Sequence, residues 1–373
     1  MKSCKIAILE SFQGLKTLAR YLFYFKPLKD ISGIKIDYFD LSNHNFDKLE
    51  KISYFNSIKD ELISTSIKLS NINFIKFEEY DYVIIAELDF LRSPSFRKRI
   101  EKSTFNKFII LDVSDSVLVD RIFFNKNILV YFKREYLKFK IKPLSLEKIF
   151  SSYLPYDSLL GNLKSRLLTF QAYNYDKLVP LPFTFFNIPN FTPSKTKKYT
   201  VFFAGSLYLS SFKGIFPGPG FFIAKAIRLR NYKERLQISD FMKQIKNSYL
   251  SISSMILPKM SYFDYLTKLS ESLCSISHFG ASFDTFRFWE TMYAGTALIT
   301  KKPMTVIPKE PVEGKHCFYF NNLKEMKNIV YYLIEDENEA IKMGLRAREF
   351  VLKYHSPEAR AKYTLEKIKE LTP

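Results

Sequence analysis

Hydrophobic positions along the chain follow two periods in turn. KIAILES at 5–11, YDYVIIAELD at 80–89 and KFIILDVSD at 107–115 each carry an unbroken apolar run of four or five residues. Such runs predict strands buried on both faces. Between them, LKTLARYLFYF at 15–25 and SPSFRKRIEKS at 93–103 place apolar residues three or four apart, the helical spacing. The second of these opens with Ser93 as a cap and Pro94 in the first turn. NILVYFKREYL at 127–137 and KLVPLPFTFF at 177–186 continue the strand series. Continuous apolar strands alternating with helices predict a parallel sheet covered on both sides.

The pattern breaks at NIPNFTPSKTKKYT (187–200), where prolines and polar residues predict a linker, and then restarts. YTVFFAGSLY at 199–208 reads as a strand ending in glycine, followed by a basic helical segment near 221–237. Residues 260–280 read as helix then strand, 295–303 and 316–322 as strands, and 323–335 and 338–353 as helices. A last helix is expected from Ser356, with Pro357 at its first position and Glu358 at its positive end. The expected organisation is an N-terminal Rossmann-like domain over 1–186, a linker over 187–198, a second Rossmann-like domain over 199–355 and a C-terminal helix over 356–373. The expected class is therefore α/β, with two doubly wound domains facing a cleft. Ligands of such sheets bind outside the carboxyl ends of the strands.

Composition supports this picture. The 373 residues suffice for about two domains at ~100–200 residues each, and 47% hydrophobic with 17% aromatic residues supplies sizeable cores. The 57 basic and 38 acidic side chains leave a net charge of +19. That balance fits an anionic partner: nucleic acid, an anionic membrane face or a phosphorylated substrate. Basic residues cluster at 121–142 and 195–235, which a solvated lysine-rich surface explains equally well. Cys4, Cys274 and Cys317 are few and far apart, so neither disulfides nor a zinc site is expected, and a cytoplasmic setting is the default. No run offers ~18 uninterrupted apolar residues, so membrane contact would be peripheral.

GASFDTFRFWETMYAGTALIT at 280–300 carries the candidate chemistry. A helix is expected from about Thr285 to Ala294, with Asp284 or Thr285 as N-cap and Gly295 just past its end. Arg287 and Glu290 are three apart and share one face, whereas Phe286, Trp289 and Tyr293 are expected to pack. Gly280 admits close approach to the backbone, and the free N–H groups of a helix start favour an anion. Arg287 would then grip a diphosphate as a fork, and Glu290 would accept from sugar or ribose hydroxyls. A plain surface ion pair, worth ~0.3–0.5 kcal/mol, fits the spacing equally well.

SFDTFRFWETMYAGTALIT resembles the nucleotide-sugar-binding segment of GT-B glycosyltransferases, in particular the spore-coat-type and exostosin-like branch with its R-F-W-E-x-x-x-x-G core. DYLTKLSESLCSIS, CFYFNN and the following C-terminal helices, YTVFFAGSLY, IILDVSDSVLVDRIFF and LVYFKREYL are similar to other parts of the same branch. The resemblance implies transfer of a sugar from a nucleotide-sugar donor. It places Glu290 on the second glutamate of the family's E-x7-E motif, which meets the ribose, and Arg287 at the donor phosphates. It places Gly205 and Ser206 at the phosphate end of the first strand of the second domain. Lys213 and Arg228 become candidates for a further phosphate contact. Gly280, Ser282, Asp284 and Thr285 complete the expected donor site. The chain departs from the motif at Ser282, where the family has its first glutamate, so the stereochemical course is open.

No metal or other cofactor is expected, because cations and helix N–H groups can carry the leaving-group charge. Asp112 and Asp115 are not at D-x-D spacing, and His44, His278, His316 and His355 form no metal-binding pattern. His278 reads as packing or as a donor contact, His355 as structural, and FPGPGFF at 216–222 as a cleft wall or a plain turn. The catalytic residue is unknown; Glu10, Glu87, Asp89, Asp112 and Asp115 all lie in strand-end regions. The expected acceptor is a glycan, a lipid-linked glycan or a protein, with no nucleic acid partner. The other readings are a non-catalytic sugar-nucleotide-binding homologue, a basic nucleic-acid-binding protein and, less favoured, a nucleotide-sugar epimerase.

Overall fold

Among the described residues, seven parallel strands form the first sheet: β1 Cys4–Glu10, β2 Ile34–Asp40, β3 Ser66–Lys68, β4 Tyr82–Ile85, β5 Phe108–Asp112, β6 Ile128–Lys133 and β7 Leu178–Pro180. Five described parallel strands form the second: β8 Tyr199–Ser206, β9 Tyr249–Ser253, β10 Ser272–Ser277, β11 Ala297–Lys301 and β12 Cys317–Phe320. The computed structural model describes residues 4–10, 20–40, 66–68, 75–86, 93–114, 118–138, 168–169, 171–206, 219–253, 261–280 and 283–373. The described α-helices are α1 Lys26–Lys29, α2 Pro94–Lys102, α3 Pro219–Met242, α4 Tyr262–Ser270, α5 Phe286–Tyr293, α6 Leu323–Glu335, α7 Glu337–His355 and α8 Pro357–Leu371.

The continuous apolar runs are buried on both faces. On β1, Ile6 and Ile8 enter one core while Ala7 and Leu9 enter the other. On β8, Phe202 faces one core of the second sheet while Val201 and Phe203 face the other. The strand orders are β3-β2-β1-β4-β5-β6-β7 and β12-β11-β10-β8-β9. In the second sheet the chain moves outward from β8 to β9 and returns on the other side at β10. That reversal opens a crevice at the carboxyl ends of β8 and β10.

Several expectations need correction. β2 and β9 were not predicted from the pattern: IKIDYFD interleaves charges with apolar residues, and YLSIS is short and half polar. The strand expected over 177–186 pairs only at Leu178–Pro180. Leu181 N–H still donates to Lys133 O at 3.0 Å, but the next donor on that side, Phe183 N–H, goes to Asp284 instead, so the pairing stops there. Beyond it Phe185 stacks on Tyr293 with ring centroids 4.2 Å apart. Ser93 caps α2 by position, but its hydroxyl meets Ser95 Oγ at 2.9 Å instead of the helix N–H groups.

The last helix ties the chain ends together. Ser356 accepts from the Ala359 N–H at its start, and Pro357 occupies the first turn. Ala361, Leu365 and Ile368 of α8 then join the core that holds Tyr24, Phe25 and Phe132 of the first sheet's layer. The segment following β6 also crosses over. Lys138 donates its N–H to Met304 O at 2.8 Å, Val306 donates to Tyr136 O at 2.6 Å, and Leu137 bridges Thr305 in antiparallel fashion. No described helix is long and apolar enough to cross a membrane, and all three cysteines are free thiols.

Candidate donor site

α5 forms where the amphipathic pattern places it. Thr285 is the N-cap, Ala294 the C-cap, and Gly295 follows with φ +69°, a left-handed conformation that suits glycine. Arg348 completes the C-terminus by donating to Tyr293 O and, at 3.1 Å, to Phe191 O. The apolar residues of α5 pack as expected. Phe286 stacks on Phe183 at 4.3 Å, and Trp289 lies 4.6 Å from the His355 ring, with no exposed surface of its own. What remains is the polar face, Arg287 and Glu290.

Glu290 is 6% exposed. Burial raises its pKa from 4.5 to about 6, against the opposing pull of the Tyr265 hydroxyl, the Arg287 guanidinium and the Tyr262 hydroxyl. Tyr265 stands between the two charges, since its hydroxyl also faces Arg287. Both tyrosines come from α4, the helix that precedes β10. The carboxylate is therefore held in place from a second element, and this is no solvated surface pair. Arg287 is half-buried, and its Nε has no partner among the described residues.

The loop leading into α5 is anchored on both sides. From α3, Arg235 donates to Phe279 O at 2.6 Å, Asn231 reaches Gly280 O at 3.5 Å, and Glu234 meets His278 Nε2 at 2.7 Å. The same Glu234 oxygen binds Lys301 at the end of β11, again at 2.7 Å. His278 is thus a satisfied packing residue. Burial first, and the nearby Arg287 second, lower the pKa of Arg235 to about 10. Gly280 has Thr285 Cγ2 as the nearest atom a Cβ would meet, at 3.6 Å, so the loop folds back over the helix start. Gly280, Thr285, Arg287, Glu290 and Arg235 accordingly gather at the carboxyl end of β10.

Asp284, also expected among the donor contacts, is turned to other partners. It is 6% exposed, accepts from Phe183 N–H at 2.5 Å and from Trp289 Nε1 at 2.8 Å, and so joins the loop to the segment that follows β7. Its pKa is raised by burial, with Arg134 the leading opposing charge. Gly205 sits in β8 opposite Ile252, and the Ser206 backbone pairs with Ser253 at the strand's end. Ser282, Lys213 and 216–218 of the proline–glycine loop lie outside the described residues, as do the side chains of Ser206 and Arg228.

Two of the strand-end carboxylates are consumed by structure. Glu10 is buried, bound by Arg20 and by the Tyr38 hydroxyl. Asp112 accepts from Lys133 at 2.5 Å, Tyr131 at 2.8 Å and the Ser114 hydroxyl at 2.6 Å. Neither is poised as a base. Glu87, Asp89 and Asp115 lie outside the described residues. His355 is structural, its Nε2 donating to Lys309 O at 2.7 Å and its Nδ1 accepting from Arg360 at 2.6 Å.

Residues 257–366 match the family model described as Glycosyl transferase-like. No curated protein sequence matches the chain. The chain is similar to a solved alpha-glucosyltransferase in complex with UDP and a 13-mer DNA containing a HMU base, with TM-score 0.50 and 12% identity over 98% of this chain and 100% of that one. A complex of alpha-glucosyltransferase with UDP and a 13-mer DNA containing a central A:G mismatch gives TM-score 0.50 and 11% identity over the same shares, 98% and 100%. The DNA modifying enzyme beta-glucosyltransferase gives TM-score 0.48 and 13% identity over 98% of this chain and 99% of that one. At these identities the likeness is one of fold: two Rossmann-like domains in the GT-B arrangement.

Proposed function

We propose that this chain, which carries the GT-B fold and matches the glycosyl transferase-like family model over residues 257–366, transfers a sugar from a nucleotide-sugar donor to a glycan, lipid-linked glycan or protein acceptor. The observation that carries the reading is Arg287 beside the buried, tyrosine-held Glu290 at the carboxyl end of β10. Arg287 and the N–H groups at the start of α5 meet the donor diphosphate, and Glu290 accepts from the ribose hydroxyls. Gly205 and Ser206 lie at the other side of the crevice, at the end of β8.

As the glycosidic bond breaks, charge grows on the leaving diphosphate. Fixed cations there stabilise the transition state more than the ground state. With that charge met by the protein's own guanidinium groups, we hold that the reaction needs no metal; full turnover in a chelator is the check. The net charge of +19 favours an acceptor displayed at an anionic surface, and peripheral membrane attachment from the cytoplasmic side fits it.

Nucleoside diphosphates raising the melting temperature of the protein, and losing that effect in Arg287→Ala, would support the reading. Loss of one charge-assisted contact corresponds to about 10- to 100-fold weaker binding. If no nucleotide stabilises the protein while duplex DNA does at moderate salt, the reading fails. Ser282, standing where the family has a glutamate, favours one second reading: a sugar-nucleotide-binding homologue without transferase activity. Nucleotide binding with neither hydrolysis nor transfer of any sugar nucleotide would select it. The two alpha-glucosyltransferase structures hold DNA, so oligonucleotides belong in the acceptor screen.

A further inference from the structure

Glu135 lies two residues beyond β6 of the first sheet, yet its carboxylate is spent on the second domain. It is fully buried. Its Oε2 accepts the N–H of Phe283 at 3.3 Å and its Oε1 accepts the N–H of Asp284 at 3.2 Å. Arg134 lies 3.4 Å from the same carboxylate and stacks over Phe183, with 4.1 Å from guanidinium to ring centroid. A charge buried this deeply is costly unless matched, so the arrangement holds only while the two domains keep this relation.

Phe283 and Asp284 end the loop that carries Gly280 and immediately precede the N-cap of α5, the helix bearing Arg287 and Glu290. The next residues of the same crossing segment, 136–138, clasp 304–306, beyond β11. One short piece of the first domain therefore grips the chain beyond two neighbouring strands of the second sheet, and Glu135 is the member that touches the candidate donor loop.

We propose that Glu135 is a positioning residue that couples the arrangement of the two domains to the donor loop. Nucleotide affinity then depends on a carboxylate that contacts no nucleotide, and by linkage a bound nucleotide tightens the segment around Glu135. The proposal rests on the glycosyltransferase reading of the site.

The full chain tests it, with UDP, GDP, ADP, CDP and dTDP as probes. Glu135→Gln keeps the shape but offers one acceptor oxygen to two N–H donors. It is expected to bind the preferred diphosphate about ten-fold more weakly than the wild type. Glu310→Gln is the control. It removes the partner of Lys138, a part-exposed contact 2.5 Å long on the same crossing segment but away from the donor loop, and binding there should equal that of the wild type. In the wild type, the diphosphate should slow amide hydrogen exchange of residues 131–138, a readout that needs no folded variant. Undiminished affinity in Glu135→Gln, an equal loss in Glu310→Gln, or unchanged exchange over 131–138 would overturn the coupling while leaving the glycosyltransferase reading intact. Failure of every diphosphate to bind the wild type would overturn both.

Discussion

A buried carboxylate beside an arginine is expected to make the candidate site pH-dependent. Glu290 has a folded pKa of about 6 against an ordinary 4.5. Its value is raised, so folding favours the neutral acid. The associated stability, about 2 kcal/mol at ~1.4 kcal/mol per unit, is complete below ~pH 4.5 and is lost as pH rises through about 6. On the proposed reading function runs the other way, because only the carboxylate would offer acceptors alone to ribose hydroxyls. Nucleotide affinity is therefore expected to fall as pH drops below about 6, and Glu290→Gln should bind weakly at every pH with a flat profile. Titrations between pH 5 and 8 check both. Substituting Arg287 by lysine should restore only part of the affinity lost in Arg287→Ala, since an ammonium cannot form the two-pronged contact.

At the level of elements, α5, the candidate donor helix, is held by its neighbours more than by its own sequence. α5 is only eight residues long, too short to be stable alone. α7 presses against the turn that ends it. A Cβ at Gly344 would meet Gly295 O at 2.3 Å and the Gly295 carbonyl carbon at 2.8 Å, both backbone atoms that cannot rotate away. Gly344→Ala should therefore cost about 1–3 kcal/mol, the usual penalty of overpacking. A thermal melt measures it. Nucleotide affinity would fall with it if the turn at Gly295 moves α5.

On the scale of the whole molecule, α8 makes one unit of the two domains. It begins beside the second domain, where Arg360 binds His355, and ends in the core of the first sheet through Ala361, Leu365 and Ile368. Deleting 357–373 would expose that core. At ~1.5–3 kcal/mol for each large buried side chain, the N-terminal domain should lose about 3–6 kcal/mol. Limited proteolysis should then cut first within residues 1–186, ahead of the nucleotide-binding half. Equal protection of both halves would show that α8 contributes little.

The sequence by itself determined the layer architecture. Strands buried on both faces read as continuous apolar runs, and α5 with its glycine end was legible because capping and 3.6-residue periodicity are local. Arg287 and Glu290 stood out because charges inside an apolar run need a reason. β2 and β9 were not legible, as polar residues interrupt their apolar pattern and pairing with β1 and β8 decides them. Only the tertiary structure decided which charges face the site and which are spent on packing. Asp284, Glu10 and Asp112 look available along the chain, yet each is matched to donors from other segments. Arg235, Tyr262, Tyr265 and Glu135 carry no local signal, since each acts on a segment distant in the chain: Phe279 lies 44 residues from Arg235, and Phe283 lies 148 from Glu135. Local propensity sets the elements. Burial and long-range hydrogen bonding, which no window of sequence contains, assign the charges.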